Sequence, residues 1–242
     1  ILKVGVPNRE LWTELAMLRL CDGRGIVQLL EADHDLGALL LERLRPGTML
    51  VTLDDEEATS IAAGVMRELW RPAPAEHAFP TVADWAAGLD KLRTHFGGPG
   101  PYPVPLVEMA ERLFAELLDS MAEPVLLHGD LHHYNILAAE RAPWLAIDPK
   151  GVIGEPAYEV GALLRNPLPH FLDVPQPRRL LARRVDQLAE TLGFDRERIA
   201  GWGMAQAVLS AWWTYEDHGH VPHRMLRCAE LLADLITPGF DF

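Results

Sequence analysis

Two aspartates and one asparagine are spaced along one stretch of the chain in a way that suits metal-assisted chemistry on phosphate. Asp130 follows an apolar run, Asn135 comes five positions later, and Asp148 ends a second apolar run at 144–147. A carboxylate can accept the proton of an attacking hydroxyl group, and amide and carboxylate oxygens are the ligands that Mg²⁺ prefers. The three side chains therefore predict phosphoryl transfer, with Asp130 serving the hydroxyl and with Asn135 and Asp148 holding Mg²⁺.

The segment from His128 to Asn135 matches a known catalytic-loop pattern. Protein kinases carry H-R-D-L-x-x-x-N at this place, and this chain reads H-G-D-L-H-H-Y-N, so that only the arginine differs and is replaced by Gly129. Both this loop and the later Asp148 stand next to apolar, strand-like runs. The order of the three residues and their strand context make the pattern more specific than the spacing of one aspartate and one asparagine alone.

Together with two later segments, this loop resembles the aminoglycoside phosphotransferases, in particular their streptomycin 6-kinase and hydroxyurea phosphotransferase branch. The later segments are 147–151 (IDPKG) and 154–159 (GEPAYE), and the resemblance extends from Lys3 to about Asp217. It implies an α+β, protein-kinase-like fold of two lobes, with ATP and Mg²⁺ as cofactors. It also implies that Asp130 is the catalytic base and that Asn135 and Asp148 bind the metal.

The resemblance divides the chain into two lobes. Residues 1–44 form the remainder of a nucleotide-binding lobe, with strands, a helix that carries the partner of the lysine, and the hinge. Residues 45–242 form a larger, mostly helical lobe with the catalytic and metal-binding loops and the acceptor site. The two strands and the Gly-rich loop that should precede Lys3 are absent from this sequence. We therefore expect the small lobe to be incomplete at its N-terminus.

Lys3 and two nearby glutamates fit the phosphate-binding part of a kinase. Lys3 lies in a short apolar strand, as does the lysine of the V-A-I-K pattern. Apolar spacing predicts a helix over Arg9–Leu20, which carries Glu14, the favoured partner of Lys3, and Glu10, a competing partner one turn earlier. We expect Lys3, positioned by Glu14, to steady the phosphates. A solvated strand end is the alternative for Lys3.

Two further strands, predicted at Ile26–Glu31 and Ala38–Glu42, lead into a segment that resembles the kinase hinge. In kinases the hinge recognises adenine through backbone N–H and C=O groups. We therefore expect the backbones of Glu42 and Leu44 to bind adenine.

His128 and His132 stand four residues apart, a spacing that can bind zinc on a helix. However, His128 precedes a Gly-Asp turn, and neither an H-E-x-x-H pattern nor a nearby cluster of cysteines is present. We expect His128 to brace the catalytic loop through hydrogen bonds. Structural alternatives also exist for the chemistry-bearing residues: Asp130 could be a turn residue, Asn135 a helix cap and Asp148 a strand end.

Most of the remaining chain has helical periodicity. Asp54 or Asp55 should cap one helix, and Thr81 should cap the next. Further helices are predicted at Leu106–Met121, Arg178–Leu192, Asp195–Tyr215 and Arg224–Ile236. Their apolar residues are expected to form the core of the large lobe.

The predicted acceptor residues are Glu155, Trp213, Glu216 and Asp217. Aromatic faces beside carboxylates suit guanidinium groups through cation–π contact and bidentate pairing. The alternative is that the tryptophans are core residues and the acids a solvated helix end. Glu159 is expected to be structural, and Lys150 could either meet a phosphate or face solvent.

The net charge of −13 argues against nucleic acid and anionic membranes as partners. It suits a cationic small molecule such as an aminoglycoside. No signal peptide or apolar run of transmembrane length is present, and the two cysteines are expected to be free core thiols. We expect a cytoplasmic protein that is a monomer or a weak dimer and that phosphorylates streptomycin at its 6-hydroxyl, conferring resistance. Hydroxyurea or another small alcohol is an alternative substrate, and a silent kinase-like binding protein is an alternative function.

Overall fold

The computed structural model describes residues 1–167 and 170–236. The strands are β1 (Leu2–Val4), β2 (Leu29–Asp33), β3 (Ala38–Leu41), β4 (Pro46–Met49), β5 (Arg71–Pro72), β6 (Val125–Leu127), β7 (Ile136–Ala139), β8 (Trp144–Ala146) and β9 (Val152–Gly154). The helices are α1 (Arg9–Cys21), α2 (Asp55–Leu69), α3 (Val82–Ala86), α4 (Gly88–Phe96), α5 (Val104–Asp119), α6 (Val160–Leu164), α7 (Pro177–Leu192), α8 (Arg196–His218) and α9 (His223–Ala233). The architecture is therefore α+β, as the sequence predicts.

The described strands form antiparallel sheets of three strands each. Their orders are β1-β3-β2, β4-β7-β8 and β5-β6-β9. The second sheet brings β7, the strand after the 128–135 loop, beside β8, the strand that leads to Asp148, with Ile136 opposite Ala146. Because β7 and β8 are neighbours, the residues at this end of the two strands lie close together.

The chain groups into two compact units. The first comprises Ile1–Pro80 and Pro124–Glu159 and holds the three sheets described above, whereas the second comprises Thr81–Glu123 and Val160–Phe242 and is helical where the structure describes it. All predicted catalytic, nucleotide and metal residues belong to the first unit. The lobe boundary after Leu44 stays a prediction.

The first strand, β1, orients Lys3 by simple alternation of side chains. Lys3 pairs with Leu39 of β3, while Leu2 and Val4 point to the opposite, exposed face of the sheet. Leu39 is buried. Lys3 thus leaves the strand on the face that packs against the rest of the unit, and a solvated strand end is not what the structure shows.

The predicted strand Ile26–Glu31 is divided between two sheets. Ile26 forms a parallel bridge with Ala146 of β8, and the N–H of Val27 donates to the Ala146 carbonyl at 2.9 Å. The strand proper, β2, begins only at Leu29 and pairs with β3. Ile26 and Val27 are buried, whereas Leu29 is only partly buried and Leu30 is exposed, so the apolar run is not one buried strand.

The helical unit is organised around α8. Every residue of this helix from Ile199 to Trp212 is buried. Small residues allow neighbouring chain segments to approach, since a Cβ atom on Gly203 would lie only 2.8 Å from Leu164 Cδ1 of α6. An alanine-sized side chain there would require the Leu164 side chain to shift, so glycine suits this closely packed position.

The predicted helix starts are present, with one difference in detail. Thr81 caps α3 in a capping box with Asp84, as predicted. Asp54 occupies the cap position of α2, but its side chain makes no capping hydrogen bond. Across residues 1–167 and 170–236, none of the helices combines the length and the apolar character needed to span a bilayer.

Candidate active site

The loop between β6 and β7 is closed by Asn135. Its side-chain Nδ2 donates to the Asp130 carbonyl at 2.9 Å, and its backbone N–H donates to the His132 carbonyl at 2.9 Å. These contacts use the amide nitrogen and leave the Oδ1 atom of Asn135 unused. No group of the described chain donates a hydrogen bond to that oxygen. The loop therefore presents the Asp130 carboxylate and one free amide oxygen from a fixed backbone.

His128 is fully buried beneath this loop. Its Nδ1 accepts a hydrogen bond from the Asp130 N–H at 3.2 Å, so its proton resides on Nε2, which donates to the Ile147 carbonyl at 2.8 Å. Burial lowers the pKa of His128 to about 4, and the ring stays neutral. Both nitrogens are thus occupied in joining the Asp130 loop to the strand that leads to Asp148, which is the bracing role predicted from the sequence.

A buried carboxylate holds the turn before Asp130. Glu159 accepts the N–H of His128 at 2.6 Å on one oxygen and the N–H of Gly129 at 2.9 Å on the other. Burial raises its pKa to about 7, although the two backbone donors oppose that rise. The sequence indicated only that Glu159 is structural. Its contact with the turn before Asp130 spans 31 residues, and no local pattern could reveal it.

The Asp148 carboxylate is reached through an unusual backbone conformation. The N–H of Ile147 donates to the Asn135 carbonyl at 2.9 Å, and the next residue, Asp148, has φ 57°, in the left-handed region. Just beyond it, the N–H groups of Lys150 and Gly151 donate to the His128 carbonyl at 2.8 and 3.2 Å. Sparsely populated backbone conformations of this kind concentrate at functional sites.

Lys3, Glu14 and Asp148 form one ionic cluster. Lys3 Nζ lies 2.7 and 2.8 Å from the two carboxylate oxygens of Glu14 and 3.0 Å from Asp148 Oδ1. Burial lowers the pKa of Lys3, but hydrogen bonds and the charges of Glu14 and Asp148 outweigh that effect, so the pKa is raised overall. The lysine remains charged at neutral pH. The structure thus shows the Lys3–Glu14 pair favoured from the sequence, and it gives Glu10 a different partner, Lys150.

Asp130 itself is partly exposed, at 26% of its side chain. His132 accepts the Tyr134 N–H on Nδ1 at 3.3 Å, and its Nε2 lies 3.5 Å from Asp130 Oδ2. Asp130 is therefore linked through the closed loop to Asn135 and, through Asn135 and Ile147, to the backbone of Asp148. The predicted catalytic and metal residues are brought together within the first unit.

The hinge prediction is only partly compatible with the backbone hydrogen bonds. The N–H of Glu42 donates to the Gln28 carbonyl at 2.9 Å and is already used. Its carboxylate is held by Arg141, at 3.1 Å from Nε and 2.8 Å from Nη2, and this pairing lowers the pKa of Glu42. In the described part of the chain, the N–H of Leu44 has no partner. An adenine contact would therefore use the Glu42 carbonyl and the Leu44 backbone, and it stays a prediction.

The predicted acceptor residues are not one cluster. Glu155 belongs to the first unit and is buried, at 2% exposure. Trp213, in the helical unit, packs edge-on against Trp85 at 5.4 Å between ring centroids. Glu216 lines a groove of about 740 Å³ between α4 and α8, and Asp217 is an exposed neighbour.

The groove beside Glu216 has aromatic and acidic walls. Trp212 and Tyr215 stack at 5.8 Å, and His95 lies 5.6 Å from each ring. Asp90 adds a second carboxylate, while Lys91 also lines the groove. Trp213 is the tryptophan predicted from the sequence for this surface, whereas the tryptophan that lines the groove is its neighbour Trp212.

The chain matches a family of known proteins. Residues 1–218 match the family model described as aminoglycoside/hydroxyurea antibiotic resistance kinase. The chain is 35% identical over 224 residues to streptomycin 6-kinase of Streptomyces griseus, covering 89% of this chain and 71% of that protein. It is 37% identical over 243 residues to hydroxyurea phosphotransferase of Kitasatospora aureofaciens, covering 96% and 67%.

A solved structure shares the fold. This is a thermostable mutant of aminoglycoside phosphotransferase APH(4)-Ia in ternary complex with ADP and hygromycin B. The TM-score is 0.62 at 14% identity, and the match covers 96% of this chain and 84% of that one. At this identity the likeness shows the fold alone, and the protein-kinase-like architecture expected from the sequence is confirmed.

Proposed function

We propose that this chain, which belongs to the aminoglycoside/hydroxyurea antibiotic resistance kinase family, transfers the terminal phosphoryl group of ATP to a hydroxyl group of an aminoglycoside. The proposed acceptor is streptomycin at its 6-hydroxyl, and the expected consequence is resistance. Hydroxyurea is the second candidate, because a hydroxyurea phosphotransferase is among the relatives.

One observation carries the proposal. A continuous set of hydrogen bonds and ion pairs runs from the Asp130 loop through Asn135 to the Asp148 strand and from Asp148 through Lys3 to Glu14. These are the groups that phosphoryl transfer needs: an acceptor for the hydroxyl proton, hard metal ligands and a cation for the phosphates. Residues with structural roles only would have no reason to be connected in this order.

The residues present fit Mg²⁺. The Oδ1 atom of Asn135 has no donor in the described chain, and the Asp148 side chain is 48% exposed with only one oxygen contacting Lys3. Two oxygen ligands of this kind suit a hard cation that keeps several waters. When bound, the ion would neutralise charge on the phosphates. We propose that Asn135 and Asp148 hold it.

The other side chains would act by position and charge. Asp130 orients the acceptor hydroxyl and takes its proton. Glu14 would keep Lys3 charged and in position. Lys3 would contact the phosphates of ATP and give up part of its contact with Asp148. The backbones of Glu42 and Leu44 would hold the adenine. Most of the rate acceleration would come from pre-organisation and not from covalent chemistry.

The acceptor side is proposed from charge and surface chemistry. Glu155, Trp213, Glu216 and Asp217 remain the proposed contacts. Glu216 has the strongest support, because it lies in a groove beside aromatic faces that can receive a guanidinium group. The net charge of −13 would favour approach of a cation.

An acceptor screen tests the proposal. Purified protein is incubated with Mg²⁺ and ATP, and ADP release is measured with streptomycin, with other aminoglycosides and with hydroxyurea. We expect streptomycin to give the highest kcat/KM and a product that carries one phosphoryl group. Turnover with hydroxyurea, and with none of the aminoglycosides, would select the second candidate. Tight binding of streptomycin without ADP release would instead indicate a silent binding protein.

A further inference from the structure

Helix α1 presents two carboxylates that each meet a lysine. Glu10 and Glu14 are four residues apart and share one face of the helix. Glu14 is paired with Lys3, and Glu10 is paired with Lys150, whose Nζ contacts Glu10 Oε1. The chain contains only three lysines. Two of the three are therefore committed to the same helix face, one from β1 and one from the loop after Asp148.

The backbone of that loop already lies against α1. A Cβ atom on Gly151 would sit 3.2 Å from the Thr13 carbonyl of α1 and 2.8 Å from Phe79 Cδ1, and Gly151 has φ 69°. The N–H of Gly151 donates to the His128 carbonyl. The loop is thus packed between α1 and the turn that precedes Asp130, and Lys150 leaves it toward the helix.

Asp148 needs support on both sides because its left-handed backbone conformation costs about 1–3 kcal/mol. On the upstream side, the N–H of Ile147 is fixed by the Asn135 carbonyl. On the downstream side, Pro149 has no polar group. Lys150 is therefore the next residue whose side chain can form a polar contact with another element. Two backbone hydrogen bonds, from the N–H groups of Lys150 and Gly151 to the His128 carbonyl, hold this second flank, and the Lys150–Glu10 pair adds a side-chain tie to α1.

We infer that Lys150 and Glu10 are positioning residues that fix the Asp148 loop against α1, in parallel with the Lys3–Glu14 pair. Lys150 acts through Asp148, so its effect on metal use rests on the proposed function. The pair is half-exposed, and pairs of this kind contribute roughly 0.2–1 kcal/mol. Its effect should therefore appear in the local order of the loop and in Mg²⁺ use, with little change in global stability.

Charge exchange tests the inference. The variants are Glu10→Lys, Lys150→Glu and the double variant that carries both. The first readout is the hydrogen-exchange protection of the Gly151 amide in the full chain, and the second is the Mg²⁺ concentration that gives half-maximal ATP turnover. We expect each single variant to lose about twofold to fivefold in protection and to need about twofold to fivefold more Mg²⁺. The double variant should recover most of both.

A matched control is available in α9, where Arg227 and Glu230 form a similarly exposed ion pair. Exchanging those two charges should leave both readouts unchanged. Unchanged Gly151 protection in Lys150→Glu, or single-variant losses that the double variant does not recover, would overturn the inference. Absence of turnover in the unmodified protein would count against the proposed function, and the protection of Gly151 would still decide the role of the pair.

Discussion

At the residue scale, three side chains that do not touch the substrate in the proposed reaction define where Asp130 stands. Neutral His128 ties the Asp130 N–H to the Ile147 carbonyl, and Glu159 holds the turn through two backbone donors. Asn135 closes the other end of the loop. Because the loop is fixed by these contacts, replacing Asp130 should remove chemistry without removing structure.

Asp130→Ala is expected to lower kcat at least ~10²-fold, the lower range for loss of a general base. The partly exposed position of Asp130 predicts little change in Tm. The measurement is steady-state ADP release with the best acceptor from the screen, and Asp35→Ala, at a fully exposed turn, serves as the control. Near-normal turnover by the Asp130 variant would remove the proposed role.

The pH dependence of stability should report the buried pair His128 and Glu159, whose pKa values shift in opposite directions. The pKa of His128 falls from 6.5 to about 4, so its contribution to stability is present above pH 6.5 and is lost as the pH falls through about 4. The pKa of Glu159 rises from 4.5 to about 7, so its contribution is present below pH 4.5 and is lost as the pH rises through about 7. Between pH 4.5 and 6.5 the two effects oppose each other.

Glu159→Gln removes one of these effects and leaves the other. As the pH rises from 4.5 to 7, the unchanged protein should lose the Glu159 contribution and the variant should not, so we expect the free energy of unfolding of the variant to increase relative to that of the unchanged protein. Urea unfolding across this range measures it. Parallel curves for the two proteins would show that Glu159 does not titrate in this window.

At the element scale, the position of α1 against the Asp148 loop is the main tertiary feature of the site. The sequence could predict the helix, its Glu14 and the partnership with Lys3, because apolar spacing and one kinase-like lysine carry that information. It could not assign Glu10 to Lys150, because that contact spans 140 residues. The same limit explains the divided strand at Ile26, whose bridge to Ala146 is a contact across the chain that the apolar pattern does not show.

Gly151→Ala should test how tightly this loop is packed. The new Cβ would meet Phe79 and the Thr13 carbonyl and would also occupy a left-handed conformation. We expect a loss of roughly 1–3 kcal/mol for overpacking in addition to about 1 kcal/mol for the backbone.

Gly193→Ala is the matched control, because Gly193 has φ 75° and nothing lies within 4 Å of the added Cβ. It should lose only the backbone contribution. Urea midpoints and m-values of the two variants give the comparison. Equal losses in both would mean that the Asp148 loop has room to adjust.

At the scale of the whole molecule, the charge of −13 separates the two candidate acceptors. Streptomycin is cationic and hydroxyurea is neutral, so only the first should be drawn by the protein's field. We expect KM for streptomycin to rise several-fold between 0.05 and about 0.5 M salt, since screening shortens the reach of charge. Turnover of hydroxyurea with the same ATP serves as the control. An equal change in KM for both acceptors would show that salt acts on the binding of the nucleotide.

The proposed reaction depends on one metal-dependent nucleotide site at Lys3, Asn135 and Asp148. The most direct measurement is the affinity of a non-hydrolysable ATP analogue with and without Mg²⁺, for the unchanged protein and for Asp148→Asn. We predict that Mg²⁺ tightens binding to the unchanged protein and does so much less in the variant, whatever the acceptor. Absence of nucleotide binding, or an equal effect of Mg²⁺ in both proteins, would contradict the account.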